Sequence, residues 1–354
     1  MTFVKVIFYR KALDMDNVLQ IENLSVSFAT EAGEIEAVRD VSLSLGKGET
    51  LAIVGESGCG KSVLCKSILK LLPSNAFIKQ GKIIAGDQDI TEFSEMQMRS
   101  LRGSLFSMVF QDPMLSLNPT IPVGQQIIEA ILSHQNLSQK VAAKRALELL
   151  TWVGLEEPAQ RFYLQPHFFS GGMCQRCVLA IALASQPQIL FADEPTTALD
   201  VTMQAQILDL LKSIQEKLGL SMVFISHDLG VVARIADRIA IMYAGKIVEI
   251  GTAEDIFYDP RHPYTWGLLQ AQPCFTARGS RLHNIPGMPP ALLQPPQGDA
   301  FAVRNEYALK IDYEKMPPFY KISETHSAAT WLLDPRAPQM VIPENLQIRC
   351  EHIG

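Results

Sequence analysis

No apolar run in the 354-residue sequence approaches the ~18 residues that a bilayer-spanning helix needs, so the chain does not read as an integral membrane protein, although an apolar partner stays compatible with it. Basic charge is not in excess either. Lys and Arg number 31 against 37 Asp and Glu, a formal net charge of −6, which argues against broad nucleic-acid binding through a cationic surface. Cysteine is sparse and scattered, at positions 59, 65, 174, 177, 274 and 350. Of these, Cys174 and Cys177 have the C-x-x-C spacing, without the second pair or H-x₃-H partner of a zinc site, and free thiols are expected. The stretch Met1–Arg10 is mildly apolar, but Lys5 interrupts it and no small-residue cleavage site follows; no signal peptide is expected, and the chain is expected to stay in the cytosol. Residues 1–16 read as a lead, disordered or an upstream start choice, ahead of the first strand-like run.

What the sequence does contain is concentrated in two glycine-rich segments. The first, Gly55-Glu56-Ser57-Gly58-Cys59-Gly60-Lys61-Ser62, fits the phosphate-binding pattern G-x-x-x-x-G-K-[ST] and follows the apolar run Leu51-Ala52-Ile53-Val54. Glycines allow a tight turn that points N–H groups at phosphate oxygens, and a helix beginning near Gly60 directs its positive end at the anion. Lys61 would reach the β- and γ-phosphates, and Ser62 would offer a hydroxyl to a phosphate-bound Mg²⁺, a hard cation that prefers oxygen. The second segment is Ser170-Gly171-Gly172-Met173, ahead of a helical run to Ala184, where a serine hydroxyl and backbone N–H groups again converge on a helix start.

The length suggests two or three subdomains. Residues 18–54 alternate as strands, with Val18–Ile21, Leu24–Phe28 and Val41–Leu45 separated by turns at Glu31–Gly33 and Gly46–Gly48, which predicts an antiparallel sheet leading into the phosphate loop. Helical periodicity dominates from about 94 to 187, predicting an inserted helical subdomain. Gln188–Asp193 and Met222–His227 are apolar runs joined by a helical stretch at 201–217, which predicts a parallel sheet covered on both faces. Ligands bind at the carboxyl ends of such strands, where Asp193, Glu194 and His227 stand. Asp193 is placed to hold Mg²⁺ and Glu194 to polarise an attacking water. Beyond about residue 275, proline clusters at Met288-Pro289-Pro290 and Pro295-Pro296 predict an irregular extension.

Taken in order, these motifs resemble the ATP-binding subunit of an ATP-binding cassette (ABC) transporter. The pattern comprises Phe28, the loop 55–62, Gln111 in Val109–Pro113, the signature at 170–173, Asp193 and Glu194, Thr197-Ala198-Leu199-Asp200, and His227 in Ser226-His227-Asp228. The resemblance implies an α/β fold, a P-loop NTPase with a RecA-like parallel sheet, an antiparallel β subdomain, an inserted helical subdomain and an irregular C-terminal extension. It gives Phe28 the stacking of adenine, and assigns Gly55, Glu56, Ser57, Gly58, Cys59, Gly60, Lys61 and Ser62 to the nucleotide phosphates. Ser170, Gly171 and Gly172 close over nucleotide held by a second subunit, in a head-to-tail dimer, and Asp200 is a further nucleotide-binding residue. Ser62, Gln111 and Asp193 become Mg²⁺ ligands, and Glu194, His227 and Gln111 catalytic groups.

The tail narrows the likeness. Arg261-His262-Pro263-Tyr264-Thr265, Ile285–Pro290, Gly298-Asp299-Ala300-Phe301 and the stretch Gln111–Pro119 are similar to the oligopeptide and dipeptide importer branch, of the Gram-positive oligopeptide type, whose nickel and glutathione importers share the tail motifs. This implies domains at 17–275 (helical insert about 94–187) and 276–354. It also implies a second ATP-binding subunit, identical or related, two integral-membrane permease subunits, an extracellular peptide-binding protein acting indirectly, no nucleic acid, and a peripheral place on the cytoplasmic face of the membrane. An importer of nickel or glutathione in the same branch, a soluble ABC ATPase serving DNA repair or the ribosome, and a non-hydrolytic module are the alternatives. Two departures stand out. Iron–sulfur members of the branch carry cysteines in a G-C-x-F and R-C pattern where this chain has Asp299 and Asn305, so no iron–sulfur cluster is expected. Cys174 stands where the branch usually has arginine, and at a helix start it would be either a reactive thiol or a passive filler.

Overall fold

The computed structural model describes residues 17–197, 199–272, 284–339, 342–343 and 346. The lead at 1–16, Ala198, Cys274 and Cys350 lie outside the described residues. In chain order, strands β1 (Asn17–Thr30), β2 (Gly33–Gly46) and β3 (Thr50–Val54) lead to helix α1 (Lys61–Ile68), strand β4 (Ala76–Ala85) and the short β5 (Gln88–Asp89). Helix α2 (Glu95–Leu101) and strand β6 (Phe106–Val109) precede α3 (Pro113–Ser116), α4 (Val123–His134), α5 (Gln139–Trp152), α6 (Pro158–Arg161) and α7 (Gly171–Leu183). Then come β7 (Ile189–Asp193), α8 (Val201–Leu218), β8 (Ser221–Ser226), α9 (Leu229–Val232), β9 (Arg238–Tyr243), β10 (Lys246–Thr252), α10 (Ala253–Tyr258), α11 (Pro263–Gln270), β11 (Tyr320–Lys321) and β12 (Ser327–Ala328).

The chain forms two compact units: residues 1–44, 51–91 and 226–354 make the first, and 45–50 with 92–225 the second. In the first unit, β2, β1, β4 and β5 form an antiparallel sheet in that order. β1 is one strand where two were expected, and the reason is a bulge. Its register shifts between Glu22 and Val26 around Asn23, whose φ of 49° is left-handed, so the buried positions change parity from Leu19 and Ile21 to Leu24 and Val26. The unit's other sheet runs β11, β12, β10, β9, β3. β3 is buried throughout and pairs in parallel with β9, as an apolar run without alternation requires.

The C-terminal extension is more regular than proline content predicts. β12 pairs with β10 (Glu249 opposite Ala328) and β11 with β12, so the extension continues the sheet. Glu249, fully buried, fixes this join. Its carboxylate accepts hydrogen bonds from the N–H groups of Arg261 (2.6 Å) and His262 (3.0 Å) and from the Thr265 hydroxyl (2.5 Å), and lies 2.8 Å from His326 Nε2. A buried carboxylate is tolerated only when its oxygens are satisfied in this way.

In the second unit β6, β7 and β8 run parallel. β6 falls inside the stretch where helical periodicity was expected; its four residues are too short to stand out from the helices around it. Helix α7 packs against α3, α4, α5, α8 and β6, and buries Cys174, Cys177, Val178, Leu179 and Leu183.

Candidate nucleotide site

The phosphate loop belongs to the first unit and is built around close backbone approaches. A side chain on Gly55 would strike the Met242 carbonyl oxygen, and one on Gly60 (φ +108°) the Ala37 carbonyl oxygen, so glycine is required at both. Gly60 caps α1, whose first residue is Lys61. Lys61 is buried, and its Nζ donates to the carbonyls of Gly55 (2.7 Å) and Glu56 (3.0 Å), so the loop folds around the ammonium. Burial pushes the Cys59 thiol up against the opposing charge of Lys61, leaving a neutral filler beneath the loop.

Two residues of the same unit hold Glu56. Its N–H donates to the Tyr264 hydroxyl (2.9 Å), and its carboxylate takes a two-pronged ion pair from Arg304, with Nη1 at 2.7 Å from Oε2 and Nη2 at 2.9 Å from Oε1. Tyr243, Tyr264 and Phe301 pack ring against ring behind it, with centroids 4.7–5.3 Å apart. Burial pushes the Tyr264 hydroxyl well up, so it stays protonated. The sequence reading assigned Glu56 to the loop but missed Arg304 and Tyr264. Arg304 is 248 positions away, and the signal was a charged residue amid Ala300-Phe301-Ala302-Val303. Phe28, half-buried on β1, and His227, exposed after β8, also belong to this unit.

The second unit carries Gln111, Ser170, Gly171, Gly172, Asp193, Glu194 and Asp200. Asp193 ends β7 and is buried. Glu194 follows with φ 47°, a left-handed conformation uncommon outside glycine, asparagine and aspartate. Its N–H donates to the Ile225 carbonyl (3.1 Å), while its carboxylate accepts from the Thr197 hydroxyl (2.9 Å) and the Gln111 amide (3.4 Å). Gln111 and Glu194, 83 positions apart, are thus brought together. Such a carboxylate, oriented by two donors, can accept a proton from water. Ser170 caps α7 by accepting from the Met173 N–H (3.4 Å), and Asp200 caps α8 by accepting from the N–H groups of Thr202 and Met203 (3.0 and 2.9 Å). Each cap is worth about 1 kcal/mol to its helix.

Cys174 is not the reactive thiol that a helix start suggests. It is fully buried, its Sγ lies 3.7 Å from the Pro166 carbonyl, and burial pushes its thiol up rather than down. Cys177 is buried and pushed up as well, and Cys59, Cys174 and Cys177 are thiols outside any disulfide. In the extension, Asp299 and Asn305 each close a turn: Asp299 Oδ1 accepts from the Phe301 N–H (3.0 Å) and Asn305 Oδ1 from the Tyr307 N–H (2.9 Å). Burial pushes Asp299 up to about 6, against the Phe301 N–H and with help from nearby Asp312.

Comparison with known proteins places the geometry. The ABC transporter family matches residues 38–197, and the oligopeptide/dipeptide transporter C-terminal region matches residues 248–311. The chain is 54% identical over 339 residues to the oligopeptide transport ATP-binding protein OppD of Bacillus subtilis (strain 168), covering 95% of each. It is 52% identical over 335 residues to the dipeptide transport ATP-binding protein DppD of Lactococcus lactis subsp. cremoris (strain MG1363), covering 94% of this chain and 96% of that one. Among solved structures, a dimeric post-hydrolysis ATP-binding cassette bound to ADP and Pi is similar at TM-score 0.60 and 28% identity, over 66% of this chain and 98% of that one. So is cbiO1 of Clostridium perfringens, part of the ABC transporter complex cbiONQ, at TM-score 0.60 and 27% identity, over 69% of this chain and 92% of that one. With its P-loop α/β fold, the chain belongs to the ABC transporter family, as an ATP-binding protein that carries the oligopeptide/dipeptide transporter C-terminal region.

Proposed function

We propose that this chain hydrolyses ATP to energise an ABC importer of oligopeptides or dipeptides. The observation that carries the reading is the phosphate loop, whose glycines admit no side chain at Gly55 and Gly60 and whose buried lysine is oriented by two of the loop's own carbonyls. Such a cradle stabilises the spread negative charge of phosphoryl transfer by position and electrostatics. Phe28 stacks on the adenine, residues 55–62 hold the phosphates, and His227 meets the γ-phosphate. Ser62, Gln111 and Asp193 form an all-oxygen donor set that suits Mg²⁺, which supplies charge neutralisation on the phosphates when bound. Glu194, oriented by Thr197 and Gln111, takes the proton of the attacking water.

Ser170–Gly172 closes over the nucleotide held by the loop of a second ATP-binding subunit, so ATP joins two subunits and hydrolysis releases them. Residues 17–275 form the ATP-binding domain, with a helical insert at about 94–187, and 276–354 the extension. Two permease subunits, as the family implies, form the transport path, and the chain meets them peripherally at the cytoplasmic face; no helix among the described residues is long and apolar enough to cross a membrane. Phe110, Met114 and Leu115, exposed beside Gln111 with Leu115 at 86%, supply an apolar surface for them. The test is Glu194→Gln in the purified transporter with its permeases. ATP turnover and peptide uptake should fall together by about 100-fold or more, the contribution of a positioned base. Unchanged turnover refutes the role of Glu194, and turnover without peptide-dependent uptake refutes the transport reading.

A further inference from the structure

We infer that Arg304, in the C-terminal extension, is a positioning residue of the nucleotide site that neutralises the acidic side chain of the phosphate loop; the inference rests on the proposed role of that loop. An acid is electrostatically misplaced in a loop that receives a polyphosphate. Glu56 stands second in the loop, one residue from Gly55, and its own carbonyl helps to hold Lys61 Nζ at 3.0 Å. A carboxylate left uncompensated there repels the nucleotide in proportion to its charge.

Arg304 removes that repulsion by its geometry. Its side chain is 5% exposed, and its guanidinium grips both Glu56 oxygens, while a third donor, Nε, binds the Pro286 carbonyl at 2.8 Å. Nη1 also lies 3.3 Å from the Tyr243 hydroxyl, and the guanidinium carbon sits 5.7 Å from the Tyr243 ring centre. Burial alone would lower the proton affinity of Arg304, but the Glu56 pair and Tyr243 reverse this and hold it above its ordinary value. A planar fork with both ends engaged fixes position as well as charge, which lysine cannot do. Tyr264, from α11, which starts within the peptide-branch motif Arg261–Thr265, fixes the Glu56 N–H in parallel. Arg304 of the extension therefore sets the charge, and Tyr264 of α11 the placement, of the peptide that orients Lys61.

The experiment measures binding of AMP, ADP and ATP to the full chain and to Arg304→Ala, Glu56→Gln/Arg304→Ala and Lys61→Ala. Arg304→Ala should weaken ATP about tenfold, ADP less and AMP least, because a stray carboxylate acts on phosphate charge at an effective dielectric near ~20. The neutral double variant should regain most of the ATP affinity, and it keeps the test informative if the single variant fails to fold. Equal weakening of all three nucleotides, no recovery in the double variant, or wild-type ATP binding by Arg304→Ala would each overturn the inference. If instead the wild-type chain does not bind ATP, or Lys61→Ala binds it as tightly, the reading of the loop itself has failed.

Discussion

Replacing Asp299 by asparagine should make the protein more stable at neutral pH and leave it unchanged in mild acid. A free aspartate loses its proton near pH ~3.9. Burial pushes Asp299 up to about 6, with Asp312 adding like-charge repulsion and the Phe301 N–H opposing. The folded chain therefore holds this proton over a window in which the unfolded chain has released it. Stability falls as pH rises from about 4 to about 6 and is level above, and at about 1.4 kcal/mol per pH unit the accumulated cost at pH 8 is about 3 kcal/mol. Asparagine is never charged, and its Oδ1 can still accept from the Phe301 N–H, a contact of 3.0 Å in the native chain. Thermal melting of the full chain and of Asp299→Asn between pH 4.5 and 8 measures this. The variant should melt on the order of 5 °C higher at pH 8, at about 2 °C per kcal/mol for a chain of this size, with the gap closing toward pH 4.5. A gap independent of pH, or one that widens in acid, would refute the reasoning.

Two further outcomes follow from single contacts. Tyr264→Phe deletes the acceptor of the Glu56 N–H and should lower stability by about 1–2 kcal/mol, read as a shift in the urea midpoint; an unmoved midpoint would show that the hydroxyl does not hold this peptide. Cys174 in the folded chain should react with iodoacetamide far more slowly than in urea, and Cys174→Ala should retain ATP turnover, since the thiol is buried and pushed up; rapid labelling of the native protein at neutral pH would contradict this.

Local patterns carried the sequence reading far. The loop from Gly55 to Ser62, the run into Asp193 and the capping residues Ser170 and Asp200 are readable because each motif and its structural context lie within a few positions of one another. Two kinds of feature were not legible. A bulge such as that at Asn23 changes which alternate residues are buried, so one strand reads as two. Pairings over long separations, such as Arg304 with Glu56 and β12 with β10, leave no periodic trace, because nothing near either partner in the chain depends on the other. Cys174 was left open between a reactive thiol and a passive filler for a related reason. A helix start lowers a thiol's pKa when it faces solvent, and only the packing of α7 shows that this one does not.

The addition of β12 and β11 to β10 has a consequence for how the protein behaves in a crowded cell. A terminal strand offers unpaired N–H and C=O groups to any passing chain, and the seven-residue β10 would be such a template. With β12 laid along it, what remains at the border is β11, two residues long. The extension thereby acts as a selvage, finishing the sheet so that the ATPase joins its intended partners rather than copies of its own edge.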